Sequence, residues 1–361
     1  MNRRQLLLTC MASALAAATA MTPMPALSQN FKGQTVTIMV PFGVGGGNDI
    51  WGRFLAGFYA KHLPGNPAVV VRIIPGGGSV SGANLFAATA KPDGLTLLVS
   101  SGSTQFPFLL GEPRIKYDYK KFKFVLAGPT GGVAYISSKY GVELGSLGKL
   151  KGSTLHYASQ GVTSLDLVPL LGFRLLGLDV KHVTGFPGRA EGRLGFERGE
   201  FDIDYQTSTA YMRSSLPLVK NGQAVPLFSW GLVGANGAIT RDPNFPDLPS
   251  IEEAYEIVNG KKPSGLEWEA FRAFLISGFP SQKLLLLPEG TPDEIVNVYR
   301  KASRDMQKDP EFLSKRDAMI GEYEQITDAE GEILFKQATT ISPEARDWVR
   351  NLLTKYHDVR F

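Results

Sequence analysis

Apolar and polar positions alternate along this chain between a period of two and a period near 3.6. Thr35–Val40 is a β-branched run that reads as a strand and stops at Pro41. After the loop Phe42–Gly43–Val44–Gly45–Gly46–Gly47–Asn48, a helix is predicted from Asp49, with Trp51, Leu55, Phe58 and Tyr59 on one face and Pro64–Gly65 at its end. Val69–Ile74 predicts a second strand, closed by Pro75–Gly76–Gly77–Gly78. Ser79 is placed to cap a helix running to Ala90, Pro92–Asp93–Gly94 marks a turn, and Leu95–Ser100 is a third strand. This β-α-β-α-β order predicts a parallel sheet with helices on its faces.

The alternation recurs further on. Strands are predicted at Thr154–Ala158, Val180–Val183, Phe201–Tyr205 and Val225–Trp230. Helices are predicted at Ser164–Leu176 (with Pro169 as a kink), Arg189–Arg198 and Ser208–Lys220. The last third reads as helical over Ser250–Val258, Leu266–Ile276, Pro292–Lys308 and, with breaks, Ile326–Leu353, interrupted by the strand-like run Lys283–Leu287. Two βα-rich blocks of about a hundred residues each point to two α/β lobes.

The first 28 residues follow a different pattern. Met1–Asn2–Arg3–Arg4 is basic, Leu6 to Ala20 carries no charge, and Ala26–Leu27–Ser28 is a small-residue exit. Together these make a secretory signal peptide, with an apolar run too short to span a bilayer. Arg3–Arg4 before Gln5–Leu6–Leu7 also fits the twin-arginine form, although Sec signals carry such pairs too. Cys10 sits near the start of the apolar run, not at its end where a lipid-anchored cysteine belongs, so it reads as part of the leader. The exported chain is then free of cysteine, and its stability rests on its core.

Charge changes little in this picture. Lys and Arg number 38 against 34 Asp and Glu, a net of +4. The leader holds two arginines and no acid, so the remainder nets +2. No block of like charge suggests a nucleic-acid tail, and aromatic residues do not interleave with basic clusters. Glycine at 40 and proline at 23 suit many tight strand-to-helix turns.

Candidate chemistry gathers at those turns. The glycines of Phe42–Asp49 leave backbone N–H groups free ahead of a helix N-terminus, a setting that favours an anion. A dinucleotide fingerprint fails because Asn48 stands where the third glycine belongs, and no Gly–Lys–Ser/Thr follows for a phosphate loop. Asp49 opposes a phosphate dianion and suits a helix first turn, or a ligand carrying donors as well as a carboxylate. Gly77 in Pro75–Ser81 repeats the device, and Ser100–Ser101–Gly102–Ser103–Thr104 supplies hydroxyls after the third strand. In the second block the equivalent junctions are Ser159–Gln160–Gly161–Val162–Thr163–Ser164, Gly185–Phe186–Pro187–Gly188–Arg189 and Tyr205–Gln206–Thr207–Ser208. Each alone serves equally as a helix cap. Six of them at corresponding strand ends outline a cleft. Arg189 is the strongest candidate for a charged clamp, ahead of Arg53 and Arg72. Asp49 and Arg189 are expected to add affinity without supporting the fold.

Enzymatic machinery is not evident. His62, His156, His182 and His357 show no metal-ligand spacing, and no serine is flanked by glycines as in a nucleophile elbow. Asp202 and Asp204 alternate on a strand and so face opposite sides. No cofactor and no metal are expected.

Beyond these local features, Thr37–Ile38–Met39–Val40–Pro41–Phe42 with its glycines and Asp49 resembles the opening of the Bug-type receptors of tripartite tricarboxylate transporters. Pro75–Gly76–Gly77–Gly78 and Lys91–Pro92–Asp93–Gly94–Leu95–Thr96–Leu97 resemble the next two signatures of that family. Tyr157–Ala158–Ser159, Gly199–Glu200–Phe201–Asp202, Pro246–Asp247–Leu248–Pro249–Ser250 and Pro288–Glu289–Gly290–Thr291–Pro292 carry the likeness in order along nearly the whole exported chain. Three segments depart from it: Arg72–Ile73–Ile74 replaces a usual Glu-Asn-Arg, Thr184–Gly185–Phe186–Pro187–Gly188 replaces Pro-Tyr-Lys-Gly, and Asn259–Phe279 is longer than usual.

The resemblance implies a type II periplasmic binding-protein fold, with lobe 1 formed by 29–132 and 234–361 and lobe 2 by 133–233. The chain would cross between lobes near Val133–Ser137 and Phe228–Val233. It implies a non-enzymatic, monomeric periplasmic protein that captures a small carboxylate by closure and delivers it to membrane permease subunits. A ligand sensor for a two-component kinase would share the pocket, and an exported enzyme for an anionic substrate is a further alternative. The expected contacts are Phe42, Gly43, Gly45, Gly46, Asn48, Asp49, Gly77, Ser100, Ser101, Ser159, Thr163, Ser164, Arg189 and Tyr205. Phe42, Phe186 and Tyr205 serve either as pocket walls or as core.

Overall fold

The structure, a computed structural model, describes residues 29–234 and 238–361. The expected leader, with Arg3–Arg4 and Cys10, lies outside the described residues.

Three strands, β1 (Thr35–Val40), β2 (Ala68–Ile73) and β3 (Thr96–Ser100), pair in parallel in the order β2-β1-β3. Helices α1 (Gly47–His62) and α2 (Val80–Thr89) make the crossovers, and α3 (Gly102–Leu110) follows β3. The chain then runs through β4 (Lys123–Gly128) into β5 (Gly132–Ser137), neither of which the hydrophobic pattern separates as a strand. Both are buried along nearly their whole length, so they lack the alternation that marks a half-exposed strand.

The middle of the chain builds the second lobe. There β6 (Thr154–Ala158), α4 (Leu167–Leu175), β7 (Asp179–Val183), α5 (Arg189–Glu197) and β8 (Ile203–Thr207) keep the expected order. The helix expected over Ser208–Lys220 is broken into α6 (Ser208–Ala210), a π turn at Tyr211–Ser215 and α7 (Leu216–Lys220). Strand β9 (Ala224–Ser229) and β8 flank β5, both antiparallel to it, while β6 and β7 pair in parallel. Val133–Ser137 is therefore the middle strand of a sheet. The chain enters this sheet from the first at 129–131 and rejoins the first only at residue 283, after two helices that pack with the middle segment.

Beyond β10 (Leu232–Val233) and β11 (Ile239–Thr240) come α8 (Ile251–Asn259) and α9 (Leu266–Gly278), then β12 (Lys283–Leu287). Strand β12 inserts between β3 and β4, antiparallel to both, so the first sheet reads β2-β1-β3-β12-β4 and is mixed, where an all-parallel sheet was expected. The chain ends in α10 (Asp293–Met306), α11 (Pro310–Ile320), α12 (Asp328–Ala338) and α13 (Pro343–His357).

Packing positions the start of α1. Phe54, Phe58 and Phe312 meet at centroid spacings of 5.1 Å, and the Tyr59 hydroxyl lies 2.6 Å from Ser303 Oγ. These contacts hold α1 against α10 and α11. On its sheet side Gly52 lets the helix lie close, since a Cβ there would stand 3.1 Å from Val40 Cγ2. In the second cluster Ile251, Trp268, Phe271 and Val349 share a core with Tyr157, Leu171 and Trp230 of the middle segment and with Phe106 of α3.

Trp230 directly follows β9 and lies within this second core. It is fully buried, stands 5.0 Å from Phe228 and 5.9 Å from Tyr205, and its amide donates to Gly132 at 2.9 Å. Trp230→Ala should lower unfolding stability by about 3–5 kcal/mol, because the cavity left among its packed aromatic neighbours can collapse only in part. Urea denaturation measures this, and a loss below about 1 kcal/mol would show that Trp230 is not the packing centre.

Candidate functional site

The first glycine loop is shaped by Asp49. Gly45, at φ +80°, donates its amide to Asp49 Oδ2 at 2.8 Å, and Arg53 Nε meets the other carboxylate oxygen at 2.7 Å. Asp49 is thus turned back into its own loop and acts on the site by holding that loop. The residue before α1 is Gly46, which brings no capping side chain, so the first-turn N–H groups of a long helix stay open at the C-terminal edge of β1. The loop also touches the opposite lobe: Gly43 donates to the Pro187 carbonyl at 3.1 Å. A Cβ at Gly47 would fall 2.5 Å from Thr207 Oγ1, so any larger residue there displaces that hydroxyl.

Between the lobes lies a cavity of about 20 Å³. Of the expected residues, Phe42, Gly43, Gly46, Asn48 and Ser101 line it from the first lobe and Arg189 from the second. Gln160, Thr207, Gly188 and Leu165 complete the second-lobe wall, with Gly47, Ser103 and Gln282 opposite. Three side-chain atoms of this wall are buried without a hydrogen-bond partner among the described residues: Asn48 Oδ1, Gln160 Nε2 and Arg189 Nε. Buried polar atoms are normally satisfied, so their convergence on one cavity marks it as built for a polar guest.

Arg189 departs from the expected anion clamp. One terminal nitrogen donates to the Ala158 carbonyl and approaches Asp166 Oδ2 at 3.4 Å. The other pairs with Asp204 and donates to the Tyr205 carbonyl at 3.2 Å. Its guanidinium lies between the Tyr157 and Tyr205 rings, 4.8 Å from each centroid. Burial opposes its charge, but Asp166 and Asp204 outweigh that and hold it well above the usual arginine range. Burial pushes the Asp204 carboxyl up, and Arg189 offsets this only in part. Two carboxylates around one cation leave no surplus positive charge, so Arg189 offers the cavity a single N–H and otherwise supports the fold.

Other expected contacts also serve the frame. Ser100 bonds Tyr119 at 2.6 Å, Ser159 accepts from Gly161, and Ser164 donates to the Gly161 carbonyl. Tyr205 packs on Trp230, and Phe186 on Phe201. Gly77, at φ +59°, lies by Arg114 at the rim. There Thr163 donates to Glu112 at 2.7 Å, and deeper in the cleft the Leu165 amide donates to Ser103 Oγ at 3.0 Å; both tie the lobes together. Glu191, from the first turn of α5, lies against Gly43, so that side of the loop repels an anion.

The residue that sequence reading passes over is Lys283. It opens a run of leucines and reads as strand, yet it is only 1% exposed and its Nζ donates to Thr209 Oγ1 at 3.0 Å across the lobes. Burial pushes its ammonium down to about 7. No carboxylate pairs with it among the described residues. Asp202 and Asp204 do face apart: Asp204 joins Arg189, and Asp202 meets Lys139 and His156 outside the cleft at 2.6 and 2.9 Å. Among the described residues no cluster of His, Cys, Asp or Glu is arranged to hold a metal ion, and no helix is long and apolar enough to cross a membrane.

Two α/β lobes around a cavity are the fold of the periplasmic binding proteins. No protein-family model matches the chain. It is 28% identical over 293 residues to a UPF0065 protein of Bordetella pertussis, covering 79% of this chain and 80% of the relative. In fold it is similar to the periplasmic binding protein BugD, with TM-score 0.64 and 19% identity over 88% of this chain and 97% of that one. It is also similar to MatC of Rhodopseudomonas palustris, solved with malate, with TM-score 0.63 and 21% identity over 87% and 98%. The chain thus resembles the Bug-type receptors in its motifs, in sequence along its length and in fold, and the structures it resembles are those of binding proteins.

Arg189→Met should lower stability by about 3–5 kcal/mol by stranding two buried carboxylates, measured by chemical denaturation. A near-neutral result would show that the triad does not support the fold. Asp202 yields a pH test. Burial would raise its carboxyl, but hydrogen bonds from Lys139 and His156 prevail and hold it at about 2 against 3.8 unfolded. Its contribution is therefore full above pH 3.8 and lost as the pH falls through about 2. The stability gap between wild type and Asp202→Asn should close over that window; a gap unchanged between pH 5 and 2 counts against it.

Proposed function

We propose that this chain is a periplasmic solute-binding protein that captures a small carboxylate by closing two lobes over it and delivers it to a tripartite tricarboxylate-type membrane permease. The lobes would comprise 133–233 on one side and 29–132 with part of 234–361 on the other. The reading is carried by the inter-lobe cavity, where Arg189 Nε, Gln160 Nε2 and the uncapped start of α1 present unused donors. Donors in excess, with the helix dipole behind them, select an acceptor-rich anion. With Glu191 beside Gly43, the carboxylate end belongs on the Gly47–Ser101 side.

The size of the cavity supports closure. About 20 Å³ holds roughly one water. A dicarboxylate such as the malate of MatC enters only if the lobes part, and it then bridges them on closing. Differential affinity for the closed form supplies the coupling.

A thermal-shift screen of the purified chain against mono-, di- and tricarboxylates tests this. A true ligand at 100 times its Kd should add about 2.7 kcal/mol to stability. Silence across all carboxylates would overturn the ligand class, and turnover of any of them would overturn capture in favour of catalysis.

A further inference from the structure

We propose that Lys283 makes closure of the cleft depend on an anion: the lobes close fully only when a negatively charged ligand at the start of α1 compensates the ammonium that closure buries. The inference rests on the capture reading above and names what that site selects. Lys283 belongs to β12 in the first lobe, and the only hydrogen-bond partner of its ammonium among the described residues is the neutral hydroxyl of Thr209, in the second. An ammonium carries three donors, so one hydroxyl leaves the charge and two N–H groups uncompensated. Its Cε would lie 3.8 Å from a Cβ at Gly47, which itself lines the cavity together with Thr207 and with Gln282, the residue before Lys283. An anion seated on the N–H groups of Gly47 and Asn48 is therefore the nearest counter-charge available.

Three carboxylates of the cleft are already paired with arginines. Asp49 is taken by Arg53, and Asp166 and Asp204 by Arg189. Asp242, which approaches Ser208 next to Thr209, is engaged by Tyr323. Glu191 lies by Gly43 and Gly188, while the neighbours of position 47 are Thr207 and Lys283. Closing over a neutral solute would bury Lys283 against a hydroxyl alone, which opposes closure. Closing over a carboxylate forms a buried, hydrogen-bonded charge pair instead. Lys283 thus discriminates by charge at the closing step, in addition to whatever the donors select at first contact.

The decisive measurement is small-angle X-ray scattering on the ligand-free protein, wild type against Lys283→Met, which keeps an unbranched side chain one atom shorter and without the charge. Wild type should scatter as a form more open than this structure, and Lys283→Met should shift to the compact form with a higher Tm. Wild-type scattering that already matches the closed form overturns the proposal even if the variant fails to fold, and so does an unchanged radius of gyration in a folded variant. The same two proteins with malate or adipate should show a smaller ligand-induced Tm shift in the variant. If no carboxylate stabilises wild type, the capture reading fails, while the ligand-free comparison still decides the role of Lys283.

Discussion

Arg189 is the point on which the second wall of the cleft depends. It gathers the carbonyl end of β6 at Ala158, the turn before α4 at Asp166, and β8 at Asp204 and Tyr205, and it comes itself from the first position of α5. These four elements carry Gln160, Thr207 and Gly188, so a single buried guanidinium sets the spacing of that side. Such a triad is costly to desolvate and adds little net stability over an apolar core of equal volume. What it provides is direction: Gln206 donates to the Arg189 carbonyl and to Asp204, so the network has one arrangement in which its main donors are used and only Nε is left without a partner.

The opposite wall achieves order by different means. Its loop is glycine held by Asp49, and its donors are backbone amides whose direction is fixed by a helix clamped between sheet and aromatic residues. One side is therefore a rigid polar surface fixed by ions and the other a rigid polar surface fixed by packing. Positive potential enters the cleft from the helix start and from Lys283, while Arg189 is neutralised locally.

Much of this was legible in the residues, and the omissions share a cause. Strand-to-helix junctions announced themselves because glycine, proline and hydroxyl residues interrupt clear periodicity, and the cavity does lie at such junctions. The second period was read too simply: β4 and β5 are buried on both faces, and a run without alternation gives no strand edge to see. Roles failed where they depend on partners distant in sequence. Arg189 looked like a free cation because nothing near it in the chain reveals Asp166 and Asp204 folding onto it. Lys283 looked like the polar edge of a core strand because Thr209 lies far away along the chain and offers no charge.

Strand β12 carries a consequence for how the molecule comes into being. It joins the first sheet between β3 and β4, yet it is made long after both, with the entire middle lobe in between. Until residues 283–287 arrive, β3 and β4 each keep an open, apolar edge that can pair with another chain. Late, distant pairing of this sort slows folding and lengthens the exposure of such edges. Nascent chains therefore need protection until nearly four-fifths of the polypeptide exists, and a product truncated before β12 is an aggregating fragment in place of a smaller binding protein.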